Sequence, residues 1–303
     1  MSRVKSKSAR AAASRQDAGS EAASRGGASK AHASRANASK GPASQPPAAT
    51  HASERWFARD MALGLCACAP LFVAYEAFGL DSGARNAAEL ALTLPLRLLG
   101  EHETLARRIA LLAGFCACLW SLYQPGYALL RRIAGVAGEG LLVSLAFAPV
   151  AVGLHRLLDA PVPATLEFAA APPPPSLERA ALVVGGAGWE EILFRVVLLA
   201  LLARLAARFF EPLAGAGRPA RALAFLAASI PAGIVFAAFH LRAVNASLGG
   251  GGEPFDPALF AWRTLSGILL ALLYAWRGVG VAAWCHAGVN ILLLAGATPG
   301  VFL

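Results

Sequence analysis

From residue 60 onward the chain alternates long apolar runs with short polar breaks. A helix needs roughly 20 apolar residues to cross a hydrocarbon core. Bounded by Arg, Pro and Gly, the runs predict spans at about 60–80, 107–124, 133–157, 178–203, 221–243, 257–276 and 279–298. Segment 86–100 is apolar but short, and its Glu89, Pro95 and Arg97 suit an interfacial or re-entrant piece. The Pro-rich stretch 161–176 and the Gly-rich stretch 249–257 read as loops. The predicted fold class is all-α: a polytopic membrane helix bundle with about seven to eight transmembrane helices and a disordered N-terminal tail.

Composition supports this, with 57% apolar and only 15% charged residues. The charge is unevenly placed. Residues 1–59 hold eleven Lys/Arg against three Asp/Glu and include every lysine, whereas the remainder is almost balanced. The basic excess therefore belongs to the tail and implies no nucleic-acid partner. The tail repeats Ala-Ser-Arg and Ala-Ser-Lys (Ala13-Ser14-Arg15, Ala28-Ser29-Lys30, Ala38-Ser39-Lys40) and has little to bury, so disorder is expected. No apolar h-region precedes residue 61, which argues against a cleaved secretory signal. An organellar transit peptide is an alternative; a cytoplasmic tail that fixes topology and touches anionic lipid is the preferred reading. This organises the chain as tail 1–59, N-terminal membrane helices 60–160 and a core over 178–298.

A cytoplasmic tail puts Arg131/Arg132, then Arg204, Arg208, Arg218 and Arg221, then Arg277 on the inner side, as the positive-inside rule requires. Arg107/Arg108 disagree, because they begin the second span from the outer side. Cys66/Cys68 and Cys116/Cys118 read as packing residues within apolar helices.

Few polar groups interrupt the later spans. Glu190, Glu191 and Arg195 lie within the 178–203 run, His240 near the end of the fifth span, and His286 and Asn290 in the seventh. Charges at mid-membrane depth cost about 2.5–3.5 kcal/mol each on insertion scales, so they pair, line wet cavities or do chemistry. Glu191 and Arg195 are i,i+4 neighbours that can pair, and so are His286 and Asn290. Glu190 points about 100° from Glu191 and stays available. Taken singly, each has a structural reading as an ion pair or helix–helix hydrogen bond. Together they form a set that could cleave a peptide bond: a desolvated carboxylate as general base on water, a histidine sharing it, and His and Asn as oxyanion donors.

The ordered motifs Glu-Glu-x-x-x-Arg (190–195), Phe-x-x-x-His (236–240) and His-x-x-x-Asn (286–290) resemble the CPBP family of intramembrane proteases. That family includes CAAX prenyl endopeptidases of the Ras-converting type and bacterial relatives such as the myxosortases. The likeness covers about residues 178–295 and includes Phe260, Arg263 and Gly267 between the second and third motifs. The resemblance implies that Glu190 and His240 activate water, that His286 and Asn290 form the oxyanion site, that Glu191 and Arg195 support them, and that Phe236 packs beside them. It also implies an integral membrane, multi-pass enzyme whose partners are the bilayer and a membrane-anchored protein or lipidated peptide. Members have been described both as glutamic and as zinc proteases. Two Glu and two His can bind zinc, but Asn is a poor zinc ligand, which favours the glutamic scheme with no cofactor.

The Ala/Arg/Gly bias suits a GC-rich bacterial genome, where protein prenylation is not expected, and hence the bacterial cytoplasmic membrane. The loop charges place the site in the outer half of the bilayer and point to a substrate with a C-terminal membrane anchor. Alternatives are a proton-relay membrane protein and a non-enzymatic immunity or scaffold protein. The absence of an internal repeat weakens a transporter. Cys285 adjoins His286, yet adjacent helix residues face about 100° apart, so it is poorly aimed for thiol chemistry.

Overall fold

A computed structural model describes residues 59–78, 85–123, 128–159, 177–214, 217–249 and 252–294, all within the unit Pro47–Leu303. The expected tail lies outside these residues apart from Arg59, and so does the Pro-rich loop 161–176. Among the described residues the architecture is helical, with a single isolated parallel bridge between Leu241 and Glu253.

Helix α1 (Arg59–Phe78) is interrupted by a turn at Cys68. Pro70 explains the break, since it lacks the N–H that would continue the helical ladder. Short α2 (Ala87–Leu92) leads into a 3-10 segment (Leu94–His102) with Pro95 in its first turn. Then follow α3 (Glu103–Leu122), α4 (Leu129–Leu157) and α5 (Leu177–Glu191). Without a gap, α5 runs through a π-helical segment (Ile192–Leu199) into α6 (Ala200–Ala214). The chain ends with α7 (Arg218–Ala238), α8 (Arg242–Leu248), α9 (Pro257–Arg277) and α10 (Val279–Leu294).

Among the described residues every predicted span lies on helix, apart from the end of the fifth, which runs past α7 through His240. Five are long and apolar enough to cross a membrane: Arg59–Phe78, Leu94–Leu122, Leu129–Leu157, Pro219–Ala238 and Pro257–Arg277. The 178–203 span carries the interrupting charges, and the last is a shorter apolar helix of 16 residues. The chain is an integral membrane protein. Segment 86–100 forms short helical pieces, and from Leu94 it is continuous with the spanning-length stretch Leu94–Leu122.

Helix α10 is the hub. It is apolar on nearly all sides, with Val279, Ala283, Cys285, Ala287 and Gly288 buried, as a helix surrounded by others must be. Its neighbours approach through small residues. A Cβ on Gly280 would lie 2.9 Å from Gly64 Cα of α1, and one on Gly140 of α4 would lie 2.5 Å from Trp284 Cβ. In lipid, where burial between helices gains little hydrophobic energy, such close backbone approach maximises dispersion contact. Gly233 of α7 and Gly267 of α9 cross in the same way, which seats Phe236 against Gly267. Helices α3 and α4 instead expose Leu105, Ile109, Leu112, Leu142 and Leu145, which suits contact with lipid.

A charged cluster ties the first helices together. Arg107 is fully buried, its Nε 3.0 Å from Glu76 Oε1, and it also pairs with buried Glu89. Arg85 Nε donates to Glu89 Oε2 at 3.0 Å, and Tyr75 Oη donates to the same oxygen at 3.0 Å. Arg107, which begins the second predicted span, is thus a buried ion-pair partner.

Candidate active site

The site begins with the end of α5. Gly185, Gly186, Ala187 and Gly188 let this helix press against α1 and α2, and Trp189 is buried against Phe72. Directly after Glu191 the ladder widens to a π-helix, a departure concentrated at functional positions. The wider turns carry Phe194 and Arg195 to the buried side.

Glu191 and Arg195 are both fully buried, with Nε 3.2 Å from Oε2, so the expected pair forms. The second Glu191 oxygen lies 3.0 Å from His286 Nδ1. A carboxylate held by a guanidinium is an acceptor, so Nδ1 carries the hydrogen and the Nε2 edge turns the other way. That edge lies 3.7 Å from Glu190 Oε2. His286 thus stands between the two glutamates, a closer link than the oxyanion role alone suggested.

Glu190 is not wholly free. Its Oε1 accepts from Asn86 Nδ2 at 2.8 Å, while Oε2 has no hydrogen-bond partner in the protein. His240 sits just beyond α7 and donates from Nδ1 to the Phe236 carbonyl at 2.9 Å, since a carbonyl can only accept. The neutral ring then presents Nε2 as a lone pair. Phe236 packs edge-on against His240 and His286, with ring centroids 5.0 and 6.0 Å away, and the Arg195 guanidinium lies over its face. Asn290 donates to the Val183 carbonyl at 3.2 Å, so part of its amide joins α10 to α5.

Glu190, His240, His286 and Asn290 line one cavity of about 350 Å³, with Phe194, Phe239 and Trp262 among its apolar walls. This is the size of a small ligand pocket, with room for water. Arg195 and Glu191 stand behind the wall. Its rim includes Arg263, which binds Glu253 at 2.6 Å, and Glu253 N–H donates to the His240 carbonyl at 2.9 Å. Phe260, also singled out in the sequence, lines a small neighbouring pocket. Cys285 is fully buried among Leu270, Leu273 and Val281 and does not line the active-site cavity.

Glu191 is engaged by Arg195 and His286, and among the described residues no three His, Cys, Asp or Glu side chains are grouped to hold a metal ion.

Residues 172–292 match the family described as Type II CAAX prenyl endopeptidase Rce1-like. The chain carries a domain of the CAAX protease family. No curated protein and no solved structure matches the chain. The CAAX-protease match takes in α5 to most of α10, and with them all six residues of the expected set. It supports a CAAX-type intramembrane protease, and with it a membrane-associated protein substrate.

Asn86 and Arg85 lie outside the match, and both line the cavity. The local signal at Asn86 is that of a helix N-cap, which its side chain is: Oδ1 accepts from Ala88 N–H at 2.8 Å. Nothing in that signal announces a contact with Glu190, 104 residues away.

Proposed function

We propose that this chain is a glutamic-type intramembrane endopeptidase that cuts a protein substrate near a membrane anchor, most naturally a C-terminal one. The carrying observation is the shared cavity, lined by two histidines, an asparagine and Glu190, whose buried Oε2 has no hydrogen-bond partner.

In this reading Glu190 Oε2 takes a proton from a water that His240 Nε2 helps to hold. The hydroxide oxygen attacks the peptide carbonyl carbon, and His286 in its imidazolium form, with Nδ1–H kept on Glu191, donates through Nε2–H to the oxyanion together with the remaining Asn290 N–H. As the C–N bond breaks, Glu190 returns the proton to the leaving amine. General-base action contributes roughly 10²–10⁴-fold and one oxyanion donor roughly 10²–10³-fold. Glu191, anchored by Arg195, orients the His286 ring. No step requires a metal, so a zinc chelator is expected to leave turnover intact.

The loop charges favour a cytoplasmic N-terminus in a bacterial inner membrane, with the organisation 1–59 tail, 60–160 N-terminal helices and 178–298 protease core. The test is a cell-wide comparison of C-terminal peptides and membrane-anchored precursors between wild type and Glu190→Ala. Precursors accumulate in the variant at unchanged membrane levels if the chain is a protease. Loss of the protein from the membrane, or an unchanged peptide profile, supports a scaffold role instead.

A further inference from the structure

Asn86 stands at a junction. Its Oδ1 caps α2 through Ala88 N–H, its own backbone N–H donates to Tyr75 Oη at 2.8 Å, and its Nδ2 donates to Glu190 Oε1 at 2.8 Å. With Oδ1 tied to the cap, the amide is pinned in the orientation that aims nitrogen at the glutamate. Tyr75 donates in turn to Glu89, which Arg85 and Arg107 hold. The anchor is therefore a buried ion cluster, not a loop.

The facing helix leaves room for this contact. A Cβ on Gly186 would lie 2.7 Å from Asn86 Nδ2, and one on Gly185 would lie 2.5 Å from Tyr75 Cβ. Two adjacent glycines thus admit the side chains that hold Glu190 from the other side.

We propose that Asn86 is a positioning residue for Glu190. It fixes one carboxylate oxygen and leaves the other without a partner, and α1–α3 thereby complete an active site whose reacting groups all lie later in the chain. The inference rests on the reading of Glu190 as general base. A donor to one carboxylate oxygen both orients the group and leaves the opposite oxygen as the proton acceptor.

The cap and the donor separate by substitution. Asn, Asp and Ser cap helices about equally well, but only Asn carries an amide donor. The experiment uses the full chain in lipid nanodiscs, a fluorogenic peptide carrying a C-terminal hydrophobic anchor as probe, and thermal melting as the fold control. Asn86→Ser should melt close to wild type, whereas Asn86→Asp sets a second carboxylate against Glu190 and should melt lower; both should show kcat lowered roughly 10- to 100-fold with KM nearly unchanged, the pattern of an interaction used in the chemical step. Gly186→Ala leaves Asn86 and its cap in place but pushes the amide from Glu190, and should lower kcat likewise. In a Glu190→Gln background Asn86→Ser should lower the residual rate no further. Wild-type kcat in both Asn86→Asp and Gly186→Ala overturns the positioning role. Wild-type kcat in Glu190→Gln overturns instead the general-base reading on which the role depends.

Discussion

Replacing Arg195 by Met tests whether the buried pair is a coupled unit. Both partners are fully buried, and Arg195 Nε lies 3.2 Å from Glu191 Oε2. At an effective dielectric near 20 a pair at this separation attracts by about 5 kcal/mol, most of which offsets desolvation. Removing only the guanidinium leaves the carboxylate with His286 Nδ1 as its one remaining partner, and breaking such a pair costs about 3–5 kcal/mol. The double change Glu191→Gln/Arg195→Met removes both charges, keeps an acceptor for His286 and approximates the volumes. It should cost less than about 2 kcal/mol, because replacing a whole buried pair is often close to neutral. The assay is denaturant unfolding in mixed micelles, followed by tryptophan fluorescence, with the two single changes and the double. A single-variant loss below about 1 kcal/mol would refute the reasoning, and so would a double variant as unstable as Arg195→Met.

Other expectations follow from the same geometry. Arg107→Met should destabilise by about 1–3 kcal/mol in the same unfolding assay, since Glu76 and Glu89 each lose a charged partner but keep Arg108 and Arg85. Cys285→Ala should leave kcat unchanged on the anchored peptide, because the thiol lies outside the cavity. A reporter fused to the C-terminus should lie on the outer face of the inner membrane; a cytoplasmic reporter would reverse the proposed orientation.

Much of this was legible in the chain. Apolar runs of spanning length mark helices directly, and among the described residues the predicted spans lie on helix apart from the end of the fifth. The pairing of Glu191 with Arg195 follows from i,i+4 spacing, which survives the change to π-helical turns. What the pattern could not carry is contact at long range. Arg107 counts as a loop charge in the sequence and is a buried partner of Glu76 and Glu89 in the fold. Asn86 advertises only its cap. Its bond to Glu190 depends on how α2 sits against Gly186, a fact of packing that no local period encodes. Likewise the Asn290 amide reaches Val183 only because α10 lies against α5.

The central claim is that Glu190 is the base. Its most direct test is the single-turnover rate of Glu190→Gln against wild type on the C-terminally anchored peptide, in nanodiscs and with melting temperature as control. The substitution keeps an acceptor for Asn86 and removes the proton-accepting oxygen. The account predicts a rate lower by roughly 10²–10⁴-fold at an unchanged melting temperature. A Glu190→Gln enzyme that melts like wild type and cleaves at the wild-type rate would contradict it.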